Sequence, residues 1–179
     1  MTRLSRQALL GAGSAIALVG LPLMTRFVEA AETADPSDIG ALNAALALER
    51  AGVKAYTDAA ATGLLSKPVL AVASGFLADH AAHRDALIAA IRVAGGTPTA
   101  ETAKLSYPAL KSEADILRFA LAVEEKAANT YLSIVAEFKD RKFAELSASI
   151  LGVETTHVAL LSSALGRPTP YPGGFMPVG

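Results

Sequence analysis

Apolar residues recur at intervals of three and four along four stretches of this chain, the spacing of a helix that buries one face. The first stretch runs from a cap at Ser37 or Asp38 to about Ala61, with Leu42, Leu46, Glu49, Val53 and Tyr56 inward. The second runs from Ser66 to about Ala94, with Pro68 tolerated in its first turn. Its inward stripe is Val69, Val72, Phe76, His80, His83, Leu87 and Ile91. The third opens on Ser112-x-x-Asp115, a capping-box variant, and reaches about Lys139. Ile116, Phe119, Leu121, Val123, Glu124 and Tyr131 mark it. The fourth spans about Arg141 to Leu165, with Leu146, Ile150, Val153, Glu154, His157, Leu160 and Leu161 inward. Gly166 and Pro168 close it.

The connections set the order of packing. Gly63 to Ser66 is a short turn, so the first two helices are expected to be antiparallel neighbours. Residues 95–111 contain Pro98 and Pro108, which exclude a continuous helix there. At ~3.3 Å per residue, a stretch of this length reaches well over ~40 Å, enough to cross a bundle from end to end. The expected architecture is all-α, a four-helix bundle with one long crossover between helices 2 and 3.

Polar residues interrupt the inward stripes, and they repeat. Ala-Leu-Ala-Leu-Glu49 continues to Tyr56, and His80-Ala-Ala-His83 follows; Ala-Leu-Ala-Val-Glu124 continues to Tyr131, and Glu154-Thr-Thr-His157 follows. In both halves glutamate and tyrosine are seven residues apart, and all three histidines of the chain fall on the two i, i+3 motifs. Residues three apart share a helix face, so each motif can aim two side chains at one point. An unpaired carboxylate among apolar neighbours is costly. A bound cation removes that cost, and so does protonation or hydrogen bonding of the acid. Bundles that hold two metal ions take a glutamate from each of two helices and a Glu-x-x-His motif from each of the other two. The matching set here is Glu49, His80 with His83, Glu124, and Glu154 with His157. Carboxylate and imidazole donors suit iron, manganese or zinc better than metals that prefer thiolate.

Single residues are weaker pointers than the set. A lone histidine on an apolar face is more often a hydrogen-bonded core residue than a ligand. Glu125 is an alternative to Glu124, but the repeat aligns Glu124. Tyr56 and Tyr131 sit ~10.5 Å of helix rise from their glutamates, too far to meet the same ion unless they fold back, so packing is expected of both. Asp79 and Asp85 read as solvated charges, one of which can orient an imidazole. Lys54, Arg84 and Lys126 read as surface charges.

On these motifs the sequence resembles the ferritin-like superfamily, and in particular the bacterial exported ferritin-like domain proteins of the desiccation-related type, over roughly residues 38–165. The resemblance implies a ferritin-like four-helix bundle holding two iron or manganese ions, with ferroxidase, oxygenase, peroxidase or catalase chemistry. It therefore implies a metal-binding protein, as a di-iron or di-manganese oxidoreductase of the ferroxidase or peroxide-consuming kind. One departure stands out. His80 occupies a position where the family pattern has a glutamate, leaving three carboxylates and three imidazoles. A mononuclear, mixed-metal or zinc site then becomes an alternative to the dinuclear one, with Asp79 a short substitute carboxylate. The alternative function is a non-catalytic helical module or accessory subunit with a degenerate metal site.

Composition narrows the field further. The 179 residues amount to one domain. With 52% hydrophobic and only 6% aromatic residues, the chain favours close-packed helices over a sheet. A net charge of −1 without a basic block gives no electrostatic footprint for nucleic acid. The absence of cysteine excludes disulfides and thiolate metal sites.

Residues 1–31 read as an export signal. Arg3 and Arg6 precede an uncharged apolar run from Ala8 to Leu23, and Val28-Glu29-Ala30 fits a small-residue cleavage site. The expected location is periplasmic or exported. The alternative is an uncleaved membrane anchor facing the periplasm, although sixteen apolar residues are short of the ~20 typical of a span. Residues 32–37 are a linker. The tail, residues 166–179, carries four prolines and four glycines and cannot form a fifth helix. Ferritin cages use such a helix in assembly, so the resemblance without it argues against a large storage shell. Tyr171, Phe175 and Met176 are expected to pack on the bundle, on another copy of the chain or on a protein partner.

Overall fold

The computed structural model describes residues 34–167 and Met176, and all its regular structure is helical. The helices are α1 (Pro36–Ala61), α2 (Lys67–Val93), α3 (Glu113–Val135) and α4 (Arg141–Ala164). The expected export segment and the packing of Tyr171 and Phe175 lie outside the described residues.

Each start follows from a local cap. Asp35, not Ser37 or Asp38, caps α1: its carboxylate accepts from Ser37 N at 2.8 Å, and Pro36 then enters the first turn, so the helix begins inside the expected linker. Ser112 Oγ accepts from Asp115 N, the first half of a capping box, while Asp115 Oδ2 accepts from the Ser112 hydroxyl at 2.8 Å and from Lys111 N rather than from Ser112 N. Asp140 caps α4 through Lys142 N. At the other ends, Gly95 and Gly166 adopt φ of 79° and 71°, a region that suits glycine because it has no β-carbon. Their neighbours then bond back to satisfy the last carbonyls, Gly96 N to Ile91 O and Arg167 N to Ser162 O. The third helix ends at Val135, four residues before the expected Lys139.

The expected pairing of α1 with α2 holds, and α3 packs on α4. The connection between α2 and α3 runs the length of α1. Asn43 binds both Thr97 O and Thr99 N, Ala103 N donates to Ala47 O, and Tyr107 OH donates to Asp58. This crossover starts α3 beside the end of α1, which makes those two helices antiparallel.

Two reciprocal pins fix the ends. Glu113 at the start of α3 accepts from Ser66 N in the α1–α2 turn, and Asp38 at the start of α1 accepts from Lys139 N and Asp140 N in the α3–α4 turn. Both Asp38 oxygens are used, which is why a carboxylate can be buried there.

Two apolar clusters fill the bundle. One joins Leu42, Leu46, Leu87, Ile91, Tyr131 and Ile150; the other joins Tyr56, Phe76, Leu121, Val158 and Leu161. On every helix the glutamates and histidines fall between the two clusters. Two residues depart from the inward stripes. Val72 is 48% and Leu160 50% exposed. The buried arc of α4 is centred on His157, Val158 and Leu161 and reaches Ser147 and Ser162. Leu160 has rotated past its edge.

Candidate metal centre

The six residues expected at the centre all converge there. They form two overlapping groups, Glu49 with His80, His83 and Glu154, and Glu124 with His80, His157 and Glu154. Within each group the nearest nitrogen and oxygen atoms lie within 4.8 Å of one another. Each group has its own glutamate from α1 or α3 and its own histidine from α2 or α4. Both share His80 and Glu154, the first residues of the two i, i+3 motifs. The internal repeat of the sequence has thus become a pseudo-twofold axis through the centre of the bundle.

The two shared residues behave differently. His80 is fully engaged: Nδ1 lies 2.8 Å from Glu49 Oε2 and Nε2 3.1 Å from Glu124 Oε1. Its ring occupies space that any other residue at position 52 would fill, because a β-carbon on Gly52 would stand 2.7 Å from Nδ1. Glu154 is the opposite. Neither oxygen has a hydrogen-bond partner, though both are buried. His83 Nδ1 approaches Oε1 to 3.1 Å and His157 Nδ1 approaches Oε2 to 3.7 Å, as ion-pair contacts rather than hydrogen bonds. The two oxygens of Glu154 therefore point one toward each group.

The tyrosines pack in the apolar clusters as expected, and their hydroxyls also reach the centre. Tyr131 OH donates to Glu49 Oε1 at 2.6 Å, and Tyr56 OH donates to Glu124 Oε1. Neither folds back on its own helix. The antiparallel register of α1 and α3 sets each tyrosine opposite the other half's glutamate, so the seven-residue spacing, found in both halves, was the available signal. Asp79 is in neither group. Its Oδ2 lies 3.1 Å from His157 Nε2, and Nδ1 faces Glu124 Oε2 at 3.3 Å, so the charged ring donates to a carboxylate from each nitrogen. Phe76 stacks on the His157 ring at 3.9 Å. Asp85 pairs with Arg84 at the surface, and Lys54 pairs with Asp58.

The buried charges hold one another in place. Burial alone would lift the Glu49 carboxyl, but the bonds to His80 and His83 outweigh it and hold it at about 2. Burial likewise lifts Glu124, yet His157 and His80 bring it well below the usual carboxylate range. Glu154 stays raised, by burial and by the neighbouring Glu124 charge. Burial disfavours each imidazolium, but the facing carboxylates prevail. Glu124 and Glu49 raise His80 to about 11, Glu154 and Glu49 raise His83 to about 9, and Glu124 and Glu154 raise His157 to about 10. Three imidazolium charges thus balance the carboxylates when no metal ion is bound.

The donor set fits a transition metal. Three carboxylates and three imidazoles are the chemistry of iron, manganese or zinc, and the unpartnered Glu154 oxygens beside His83 Nδ1 are what a bound cation would satisfy. No helix among the described residues is long and apolar enough to cross a membrane.

Comparison with known proteins agrees with this architecture. The solved structures similar to this chain include a conserved hypothetical protein, rv2844, from Mycobacterium tuberculosis, with a TM-score of 0.66 and 24% identity over 78% of this chain and 96% of that one. That likeness establishes the fold. No curated protein matches. The family model for the ferritin-like domain matches residues 37–167, most of the chain and all four helices, and the protein belongs to that family.

Proposed function

We propose that this is an exported metal-binding member of the ferritin-like family, with Glu49, His80, His83, Glu124, Glu154 and His157 holding iron, manganese or zinc. The observation that carries this reading is the Glu154 carboxylate, buried, without a hydrogen-bond partner and shared by both ligand groups. Ions bound there would supply redox or Lewis-acid chemistry toward oxygen or peroxide, which is the basis for a ferroxidase or peroxide-consuming activity.

The chain's own residues prepare the centre for a cation. Tyr131 and Tyr56 orient the carboxylates of Glu49 and Glu124, and Asp79 accepts from His157 Nε2, which leaves Nδ1 toward the centre. The two apolar clusters exclude water above and below. Imidazoles must be neutral to act as ligands, so metal uptake releases protons from His80, His83 and His157. The export assignment rests on the pattern of residues 1–31, basic, then apolar, then small. The mass of the protein recovered from a bacterial periplasm tests it. A product that keeps residues 1–31 and fractionates with membranes would favour the anchored alternative.

A second reading has its own observation. His80 joins Glu49 and Glu124 through both ring nitrogens, so it stands where a cation would and closes the network without one. A non-catalytic helical module would look this way. Elemental analysis after incubation with Fe(II), Mn(II) and Zn(II) separates the two. At least one ion per chain, lost in Glu154→Gln, is expected for the metal site. Protein that takes up none of the three ions leaves the second reading standing. Oxygen or peroxide consumption by the loaded protein then separates turnover from storage.

A further inference from the structure

A cavity of about 260 Å³ lies between α1, α3 and the crossover, outside the ligand cluster but ending on it. Its floor is Glu49, Gly52 and His80, and Phe119 forms part of one wall. The roof, residues 103–106, is tied at both ends. Ala103 N donates to Ala47 O at 2.9 Å, while Tyr107 donates to Asp58 and packs its ring against Phe119 at 4.9 Å. Half of the lining is alanine, leucine and valine. Lys104 and Lys126 are exposed at its edge and, among the described residues, neither forms an ion pair. Glu49 is the one carboxylate in the lining, and it is spoken for by His80 and Tyr131.

We infer that this cavity binds a small organic acid with an apolar body, its acid group held by Lys104 and Lys126 and its far end directed at Glu49 and His80. Three features carry this. The mouth bears positive charge, which opposes the entry of a metal cation and draws an anion. The interior is apolar, so it favours hydrocarbon over inorganic anions. The absence of a β-carbon at Gly52 brings the floor to the His80 ring, so a bound molecule would end at the cluster rather than beside it. The volume equals that of about nine waters in the liquid, which suits roughly ten non-hydrogen atoms. The inference rests on the metal-centre reading only for what the far end of the acid meets.

Octanoate, with ten non-hydrogen atoms, is the probe, and octan-1-ol is its neutral counterpart. Titrations are followed by calorimetry and by the methyl resonances of Leu48 and Val123 on the cavity wall, with metal content measured on the same samples. Octanoate should bind, shift those resonances and weaken at least tenfold in the Lys104→Gln/Lys126→Gln double variant, while octan-1-ol should bind at least tenfold more weakly than octanoate. Ala122→Phe, which fills the cavity from α3, should abolish binding with helicity unchanged. Octanoate affinity unaffected by loss of both lysines, or no binding by a folded wild-type protein, would overturn the inference. Binding to protein that takes up no metal would uphold the cavity and count against the metal reading. Metal uptake without octanoate binding would do the reverse.

Discussion

Gly52 gives the most direct test of the geometry at the centre. A β-carbon there would stand 2.7–2.8 Å from the His80 ring atoms Nδ1, Cε1 and Cγ. Comfortable carbon contact begins near ~3.5 Å, so the ring would have to retreat by about 0.7 Å. It is held in place by Glu49 at 2.8 Å, by Glu124 at 3.1 Å and by the stacked Tyr56 ring. Overpacking of this kind costs about 1–3 kcal/mol, and losing one charged hydrogen bond costs about 1.5–3 kcal/mol. These are two measures of one displacement and do not add. Alanine returns about 1 kcal/mol of helix propensity. Gly52→Ala should therefore destabilise the metal-free protein by about 0.5–2 kcal/mol. Gly75 and Gly152 are mid-helix glycines with open space where a β-carbon would go. Alanine at either should stabilise by about 0.5–1 kcal/mol. The gap between Gly52→Ala and Gly75→Ala, about 1–3 kcal/mol, is large enough for urea unfolding in EDTA followed by circular dichroism. Because His80 belongs to both ligand groups, Gly52→Ala should also lower metal content. If Gly52→Ala proves as stable as Gly75→Ala, the His80 ring does not lie against α1 and the account of the centre fails.

Three further outcomes follow from the same network. In EDTA, Glu124→Gln should cost about 3–5 kcal/mol, because it cuts into a buried ion network that includes Tyr56, His80 and His157. Glu154→Gln should cost less than half as much, since Glu154 makes no hydrogen bond; equal losses in urea melts would contradict the assigned partners. Tyr131→Phe should cost about 1.5–3 kcal/mol by leaving a charged acceptor unpaired, and a melt identical to wild type would place its hydroxyl elsewhere. Metal-free stability should be greatest between about pH 4.5 and 6.5. The histidines have raised folded-state values, so their contribution is complete below 6.5 and is lost as pH rises through about 9 to 11. Glu49 is depressed, so its contribution is complete above 4.5 and is lost as pH falls toward about 2. Urea midpoints that rise steadily from pH 6.5 to 9 would show the opposite linkage.

The sequence by itself determined the four helices and the level of the polar layer. Three- and four-residue spacing fixes which way a side chain leaves its own helix, and Glu49, His80, His83, Glu124, Glu154 and His157 all interrupt apolar stripes at matching heights. Ser112 with Asp115, and Gly166, marked helix ends because capping is a local event. Local signals did not reach across helices. They placed Val72 and Leu160 inward, because periodicity gives a direction but not whether a neighbouring helix lies close at that height. They assigned Tyr56 and Tyr131 to packing, because distance was counted along one helix. Only the antiparallel approach of α1 and α3, set by the crossover, brings each hydroxyl to the opposite glutamate. The same assembly decided that His80 is enclosed by two hydrogen-bonded carboxylates while neither Glu154 oxygen finds a hydrogen bond. Those environments are sums over four helices, and no single stretch of chain contains them.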